Sequence, residues 1–284
     1  MTGTTHAEIS DKRRSILVLW HLLSLDAPTV AALWTWFIAR ANHVAVPHFA
    51  FAGMAAAVWM LYAADRMLDA QSAGNDSLEA RHYFHQEHRA GFLAGIAVCS
   101  VLLAILLPRI PEAAIHLYLI LGGLVFGYFV IIHATRSAHR LPKEIAVGVC
   151  FAAATFIPTV ANAPSLRVML LPPALLLAAL YSLNCLFIYS WEHPQQATQL
   201  PHPITAFALR YLSGISIGIV AASSILAVSD HRAPWPLYTA IALSTIVLLV
   251  LHVCRQYIPA LELRAAADLA LLTPLLLLPV VLVR

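Results

Sequence analysis

Two short stretches of this chain put carboxylates where apolar sequence ends. Leu61-Tyr62-Ala63-Ala64-Asp65-Arg66-Met67-Leu68-Asp69 and Ile188-Tyr189-Ser190-Trp191-Glu192 each close a long apolar run, and each reads Tyr-x-x-acid. A carboxylate at the end of a membrane helix is costly unless it meets a cation or water, so it marks a functional site by default. Asp65 and Asp69 are four apart and share one helical face. Two carboxylates so placed repel each other unless a cation sits between them. Oxygen ligands at a water-accessible membrane surface suit Mg²⁺, which keeps several waters and binds through one or two carboxylates plus substrate phosphates. Glu192 is expected to face the pair across the bundle. Asn184, eight residues earlier on nearly the same face, is expected to donate to a phosphate or to hold a carboxylate.

Around these acids lie Arg66, Arg81, Arg89, Arg136, Arg140 and Lys143. Arginine matches phosphate oxygens bidentately, and lysine serves as a point charge. Acids and bases beside an apolar cavity describe a site for a diphosphate head on a hydrocarbon tail. The alternative is that these cations only mark the cytoplasmic face.

The elements that must position these residues are membrane spans. Of 284 residues, 61% are hydrophobic and 11% charged, with a mean hydropathy of +0.79; a soluble domain runs near about 25% charged. Nine apolar stretches of span length follow one another, at 15–39, 44–64, 91–108, 113–133, 143–162, 167–190, 204–228, 235–254 and 264–283. Prolines bound several of them, and the third is short enough that eight spans is the competing count. Helices are expected, because backbone in lipid must satisfy its own hydrogen bonds. The whole chain, 1–284, reads as a single transmembrane domain, with cytoplasmic loops at 65–90 and 191–203 capping the polar pocket. No cleavable signal is evident after Lys12-Arg13-Arg14. With nine spans, twelve of the seventeen Lys and Arg fall on the side of the N-terminus, which makes that side cytoplasmic.

The same rule applies to other polar residues. Asp26 and Asp268 lie inside apolar stretches and must face the bundle interior or a cavity. Asp26 is expected to recognise an acceptor or act as a base, unless it only completes an interhelical hydrogen bond. His82, His85 and His88 suggest a cap helix over the pocket rather than a metal site, since three imidazoles at that spacing drift round the helix. His116 and His252 could pair as haem ligands in an electron carrier. Cys99, Cys150, Cys185 and Cys254 form no C-x-x-C pair and read as buried thiols. No basic run or recognition motif points to nucleic acid.

On its two acidic stretches and its nine spans, the chain resembles the UbiA superfamily of intramembrane prenyltransferases. That family carries aspartate-rich motifs at the cytoplasmic ends of its second and sixth helices. The first, N-x-x-x-D-x-x-x-D, is matched here by Leu61-x-x-x-Asp65-x-x-x-Asp69; the second, D-x-x-x-D, by Ile188-x-x-x-Glu192. Leu61 and Ile188 stand where the family has asparagine and aspartate. The resemblance implies an all-α, UbiA-like bundle of nine transmembrane helices with its N-terminus in the cytoplasm, expected in a bacterial inner membrane. It implies that Asp65, Asp69 and Glu192 hold Mg²⁺ against an isoprenyl diphosphate, whose prenyl group passes to a lipophilic acceptor. Tyr62, Tyr189 and Trp191 would then face an allylic carbocation, or else serve as interfacial belt residues. Two alternatives stay open: a terpene cyclase using the same metal site, and a non-catalytic lipid- or quinone-binding membrane subunit.

Overall fold

A computed structural model describes residues 16–72, 84, 86–134, 142–192 and 202–283, with the backbone alone described at 68–72 and 128–134. Among the described residues all regular structure is helical. The order is α1 (Ile16–Leu22), α2 (Asp26–Ala41), α3 (His48–Ser72), α4 (Arg89–Leu106), α5 (Glu112–Ala134) and α6 (Lys143–Asn162). Then come α7 (Leu171–Glu192), α8 (Pro203–Arg210), α9 (Leu212–Ser229), α10 (Trp235–Cys254) and α11 (Ala260–Leu269). A 3₁₀ segment, Ala270–Leu277, leads into α12 (Leu278–Val283). Among the described residues six stretches are long and apolar enough to cross a membrane: Arg89–Arg109, Lys143–Asn162, Leu171–Glu192, Leu212–Ser229, Trp235–Tyr257 and Ala260–Val283. The chain is thus built as an integral membrane protein.

All nine expected stretches fall largely on helix, and α6 and α10 keep the expected limits of 143–162 and 235–254. Three stretches are not single α-helices. The first splits into α1 and α2, which meet at 91°. The seventh divides at Tyr211, and the last passes from α-helix through 3₁₀ and back. The loop expected from residue 65 begins later, because α3 runs on to Ser72; Asp65 and Asp69 therefore lie within a helix.

α7 is the central element. It packs on α6, α9, α10 and α11, while α2 packs on α3 and α6. A helix that is apolar all round is a buried one, and Leu177, Leu180, Leu183 and Phe187 of α7 are fully or almost fully buried. Trp34, Phe37 and Ile38 of α2, Phe156 of α6, and Leu237, Ile241 and Leu248 of α10 complete this core.

Interruptions free backbone groups, and in several places nearby side chains satisfy them. Pro158 in α6 removes the donor that the Ala154 carbonyl needs; the Tyr118 hydroxyl of α5 donates to that carbonyl at 3.5 Å. In the 3₁₀ segment the Leu271 carbonyl would receive the N–H of residue 274, which is proline. Trp34 Nε1 donates to it instead, at 2.8 Å. α1 ends in a Schellman turn, with Leu25 N–H on the Trp20 carbonyl at 3.1 Å and Ser24 N–H on the His21 carbonyl at 3.0 Å. Ser24 takes the left-handed position, φ 58°.

α6 and α7 touch backbone to backbone at Gly148. A Cβ there would lie 2.4 Å from the Ser182 nitrogen and 2.7 Å from its Cα. Small residues permit such close crossings in membrane bundles. Gly148→Ala is expected to push the two helices apart and to lower stability by about 1–3 kcal/mol, despite alanine's better helix propensity. Thermal unfolding of the detergent-solubilised protein checks this; an unchanged midpoint would mean that the crossing is not tight.

Candidate functional site

The best-defined polar site lies at the right-angled break between α1 and α2. His21 is in the last turn of α1, and Asp26 is the first residue of α2. Both side chains are completely buried. The His21 Nδ1 lies 2.5 Å from Asp26 Oδ2. The other oxygen, Asp26 Oδ1, accepts the Ala27 N–H at 2.9 Å, as expected of a carboxylate opening a helix.

Arg66 reaches this break from α3. Its Nη1 donates to the His21 carbonyl at 2.7 Å, and its Nη2 donates to Asp26 Oδ2 at 3.2 Å and to the Tyr62 hydroxyl at 2.8 Å. The guanidinium also sits 4.2 Å from the centre of the Tyr62 ring. The arginine thus neutralises a buried carboxylate and terminates the open carbonyl end of α1 at once. Trp59, two turns earlier on α3, donates to the Leu23 carbonyl at 3.1 Å. Side chains of α3 therefore close much of what the break between α1 and α2 leaves open.

From the other side comes Asp268, near the end of α11. Its Oδ2 is 3.8 Å from His21 Nδ1, and its Oδ1 accepts from Asn184 Nδ2 of α7 at 2.9 Å. Arg264, one turn before Asp268, forms an ion pair with Glu192 at the end of α7. Beside it, Trp191 Nε1 donates to His252 Nδ1 of α10 at 3.0 Å. A polar seam thus runs between α7 and α11, from Glu192 and Arg264 inward to Asn184 and Asp268, and on to His21, Asp26 and Arg66.

The residues expected from sequence divide between this seam and the surface. Arg66, Tyr62 and Asp26 come together, but on one another. Arg66 is buried in the break, where the sequence had suggested a phosphate ligand, and Asp26 takes the role of its partner. Asn184 holds the carboxylate of Asp268, one of the two roles expected of it. Asp65, one residue before Arg66, is exposed, as is Leu61 one turn earlier; rotation of about 100° per residue sends consecutive side chains to different faces. Tyr189 is half-buried, and Arg89 and Lys143 are exposed. Arg81, Arg136, Arg140, His82, His85 and the side chain of Asp69 lie outside the described residues. His116 is exposed beside Glu112 in the first turns of α5, and His252 stacks near Trp191 at the far end of α10.

The fit to Mg²⁺ is partial. Asp65 offers an oxygen ligand at an exposed position in the last turns of a helix, as a hydrated hard cation requires. Glu192 Oε1 is held by Arg264, which competes with any metal for that oxygen. The partners of Asp26, Arg66 and Asp268 could not be assigned from sequence. Only the rule that a charge inside an apolar stretch must have a partner could have prompted a search among Arg66 and its neighbours.

Comparison with known proteins yields no match among family models, curated proteins or solved structures.

Removing one member of a buried ion pair leaves the other uncompensated, which costs about 3–5 kcal/mol. Arg66→Met should destabilise by this much, and the double variant Arg66→Met/Asp26→Leu should lose clearly less than the two single losses added. A double-mutant cycle from denaturant unfolding in mixed micelles measures the coupling. Simple additivity would mean that the pair contributes nothing to the fold.

Proposed function

We propose that this is a nine-span membrane protein with a cytoplasmic N-terminus, acting as an intramembrane prenyltransferase. It would bind an isoprenyl diphosphate between the ends of α3 and α7 and pass the prenyl group to a lipophilic acceptor. In this reading α1 and α2 form one broken span, α3 and α5 are spans, and the polar ends of α3 and α7 open toward the cytoplasm of a bacterium.

One observation carries the reading. Asp65 turns away from the buried network that absorbs its neighbour Arg66, while Glu192 ends the sixth of the nine apolar stretches as Asp65 and Asp69 end the second. Asp65 and Asp69, with Glu192 once Arg264 yields it, are the residues that would hold Mg²⁺. Bound there, the ion would supply charge neutralisation for a departing diphosphate. Arg89 and Lys143 are exposed cations at the starts of α4 and α6 and suit the diphosphate oxygens. The apolar helices would exclude water from the carbocation, with Tyr189 and Trp191 near the end of α7 as its nearest aromatic faces.

A second reading is a non-catalytic lipid- or quinone-binding subunit. The Glu192–Arg264 ion pair favours it, as does exposed Leu61 at the position where a polar ligand would be needed.

Diphosphate release by the purified protein, with isoprenyl diphosphates of several chain lengths and Mg²⁺ or EDTA, separates the two. The expected result is metal-dependent release, lost on Asp65→Ala and retained on Arg255→Ala, with both variants eluting as folded protein. Analysis of the lipid products then distinguishes transfer from cyclisation. No release at any chain length, even with membrane lipid extract supplied as acceptor, would leave the binding subunit as the surviving reading.

A further inference from the structure

The seam around Asp268 has a chemistry of its own, independent of what happens at Asp65. Two carboxylates, Asp26 and Asp268, meet inside the bundle, and Arg66 is the full cation that contacts this centre among the described residues. The third member is an imidazole. Two negative charges against one positive charge leave the buried assembly one charge short of neutrality, and uncompensated charge in a low-dielectric interior is expensive. One further proton closes the balance. It has two seats, the second nitrogen of His21 or the carboxyl of Asp268.

The geometry favours Asp268. His21 Nδ1 is 2.5 Å from Asp26 and 3.8 Å from Asp268, so its Nδ1–H donates to Asp26. Asn184 occupies Asp268 Oδ1, which leaves Oδ2 to carry hydrogen. The side chains of His21 and Asp26 are 0% exposed, whereas that of Asp268 keeps 12%. Of the three groups, Asp268 is the one whose side chain keeps exposed surface.

His21, Asp26 and Asp268 also place ligand atoms within 4.8 Å of one another, the grouping a metal ion would use. The distances argue against one. Two ligands of a tetrahedral ion with bonds of about 2.0–2.2 Å stand well over 3 Å apart, whereas His21 Nδ1 and Asp26 Oδ2 are 2.5 Å apart. That is the spacing of two atoms sharing a proton. Arg66, 3.2 Å from the same oxygen, places a positive charge where the metal would need negative ones.

Asn184 supplies a separate observation. It is 6% exposed, and its Oδ1 is buried with no hydrogen-bond partner. An amide can present either end. Its NH₂ donates to a carboxylate, as it does here to Asp268, and a half-turn would offer the oxygen to a carboxylic O–H. An asparagine with one satisfied end and one vacant acceptor suits a neighbour that exists in two protonation states.

We propose that Asp268 is an exchangeable intramembrane proton site, its carboxyl taking up and releasing one proton against a fixed frame of His21, Asp26, Arg66 and Asn184. On release the O–H bond breaks, the electron pair stays on Asp268 Oδ2, and the proton leaves to water along the seam toward Arg264 and Glu192. The assembly passes from neutral to a single negative charge. The groups facing Asp268 are His21 of α1, Asp26 of α2, Tyr62 and Arg66 of α3, and Asn184 and Cys185 of α7, with Arg264 one turn away on α11. A site of this kind gives the bundle an acid or base within reach of a lipophilic substrate, or one step of a proton relay.

Infrared difference spectroscopy of the full-length protein in lipid nanodiscs, between mildly acidic and mildly alkaline buffer, reads the group directly. The expected result is a protonated-carboxyl C=O band that shifts in D₂O and fades as pH rises. The band should be lost in Asp268→Asn and kept in Glu192→Gln and Arg264→Gln. Asn184→Leu, which removes the amide that serves both states, should move the band's midpoint while leaving the band in place, so a poorly folding Asp268 variant does not decide the matter alone. A wild-type protein with no such band at any pH, or a band that survives in Asp268→Asn, overturns the proposal. So does a band whose amplitude follows Na⁺ at fixed pH and ionic strength, since the exchanging ion would then be a metal.

Discussion

A guanidinium inside an apolar bundle must be neutralised and hydrogen-bonded, and the first third of this chain is arranged around doing both for Arg66. The side chain meets a carboxylate, a phenol and a backbone carbonyl, each from a defined place: Asp26 opening α2, Tyr62 one turn back on α3, and His21 closing α1. Buried pairs of this sort add little net stability compared with well-packed apolar residues, yet they penalise every arrangement in which one partner is missing. The consequence here is geometric. α1 and α2 must stop and start at the same point, α3 must lie beside both, and α11 must come close enough for Asp268 to share the imidazole.

The remaining irregularities follow from the lipid environment. A helix break in hydrocarbon exposes carbonyls that water cannot reach, so the freed groups must find donors within the protein. Arg66 and Trp59 do so at the α1–α2 turn, Tyr118 at Pro158, and Trp34 at Pro274. Trp34 comes from α2 and the carbonyl from residue 271, so one indole ties the α1–α2 pair to the interrupted last helix. The two interruptions meet on the same seam, where His21, Asp26 and Asp268 sit at or near helix ends. Broken helices bring polar backbone and polar side chains to the same depth, which continuous helices do not.

Much of this architecture was legible in the sequence. Continuous apolar runs bounded by proline or charge located α6 and α10 to the residue, because lipid-facing segments carry a strong compositional signal and their ends are marked by Pro142, Pro234 and Arg255. The isolated acids Asp26 and Asp268 could be placed in the interior for the same reason. The break after α1 was hidden: its left-handed residue is Ser24, not glycine, and no proline interrupts the run before Pro28. The role of Arg66 was hidden more deeply. It stands between two acids at a helix end, where a count of positive residues reads it as a cytoplasmic marker. Its true partner lies 40 residues away, and only the fold brings the two together. The partner of Asn184, 84 residues on, could not be named either.

The one-residue step from Asp65 to Arg66 joins the buried frame to the proposed surface site. A helix pinned by a buried side chain cannot rotate about its axis, because turning Arg66 away from Asp26 would strand both charges. With Arg66 fixed, the faces of α3 are fixed too: Tyr62, Ala63, Arg66 and Met67 turn inward to differing depths, and Leu61 and Asp65 turn outward together. Asn184 and Glu192 are tied by the same logic to Asp268 and Arg264, which sets the rotation of α7 against α11. These contacts therefore act on Asp65 and Glu192 as positioning interactions. They hold the two acid-bearing helix ends at fixed rotations, which any chemistry shared between Asp65 and Glu192 would require.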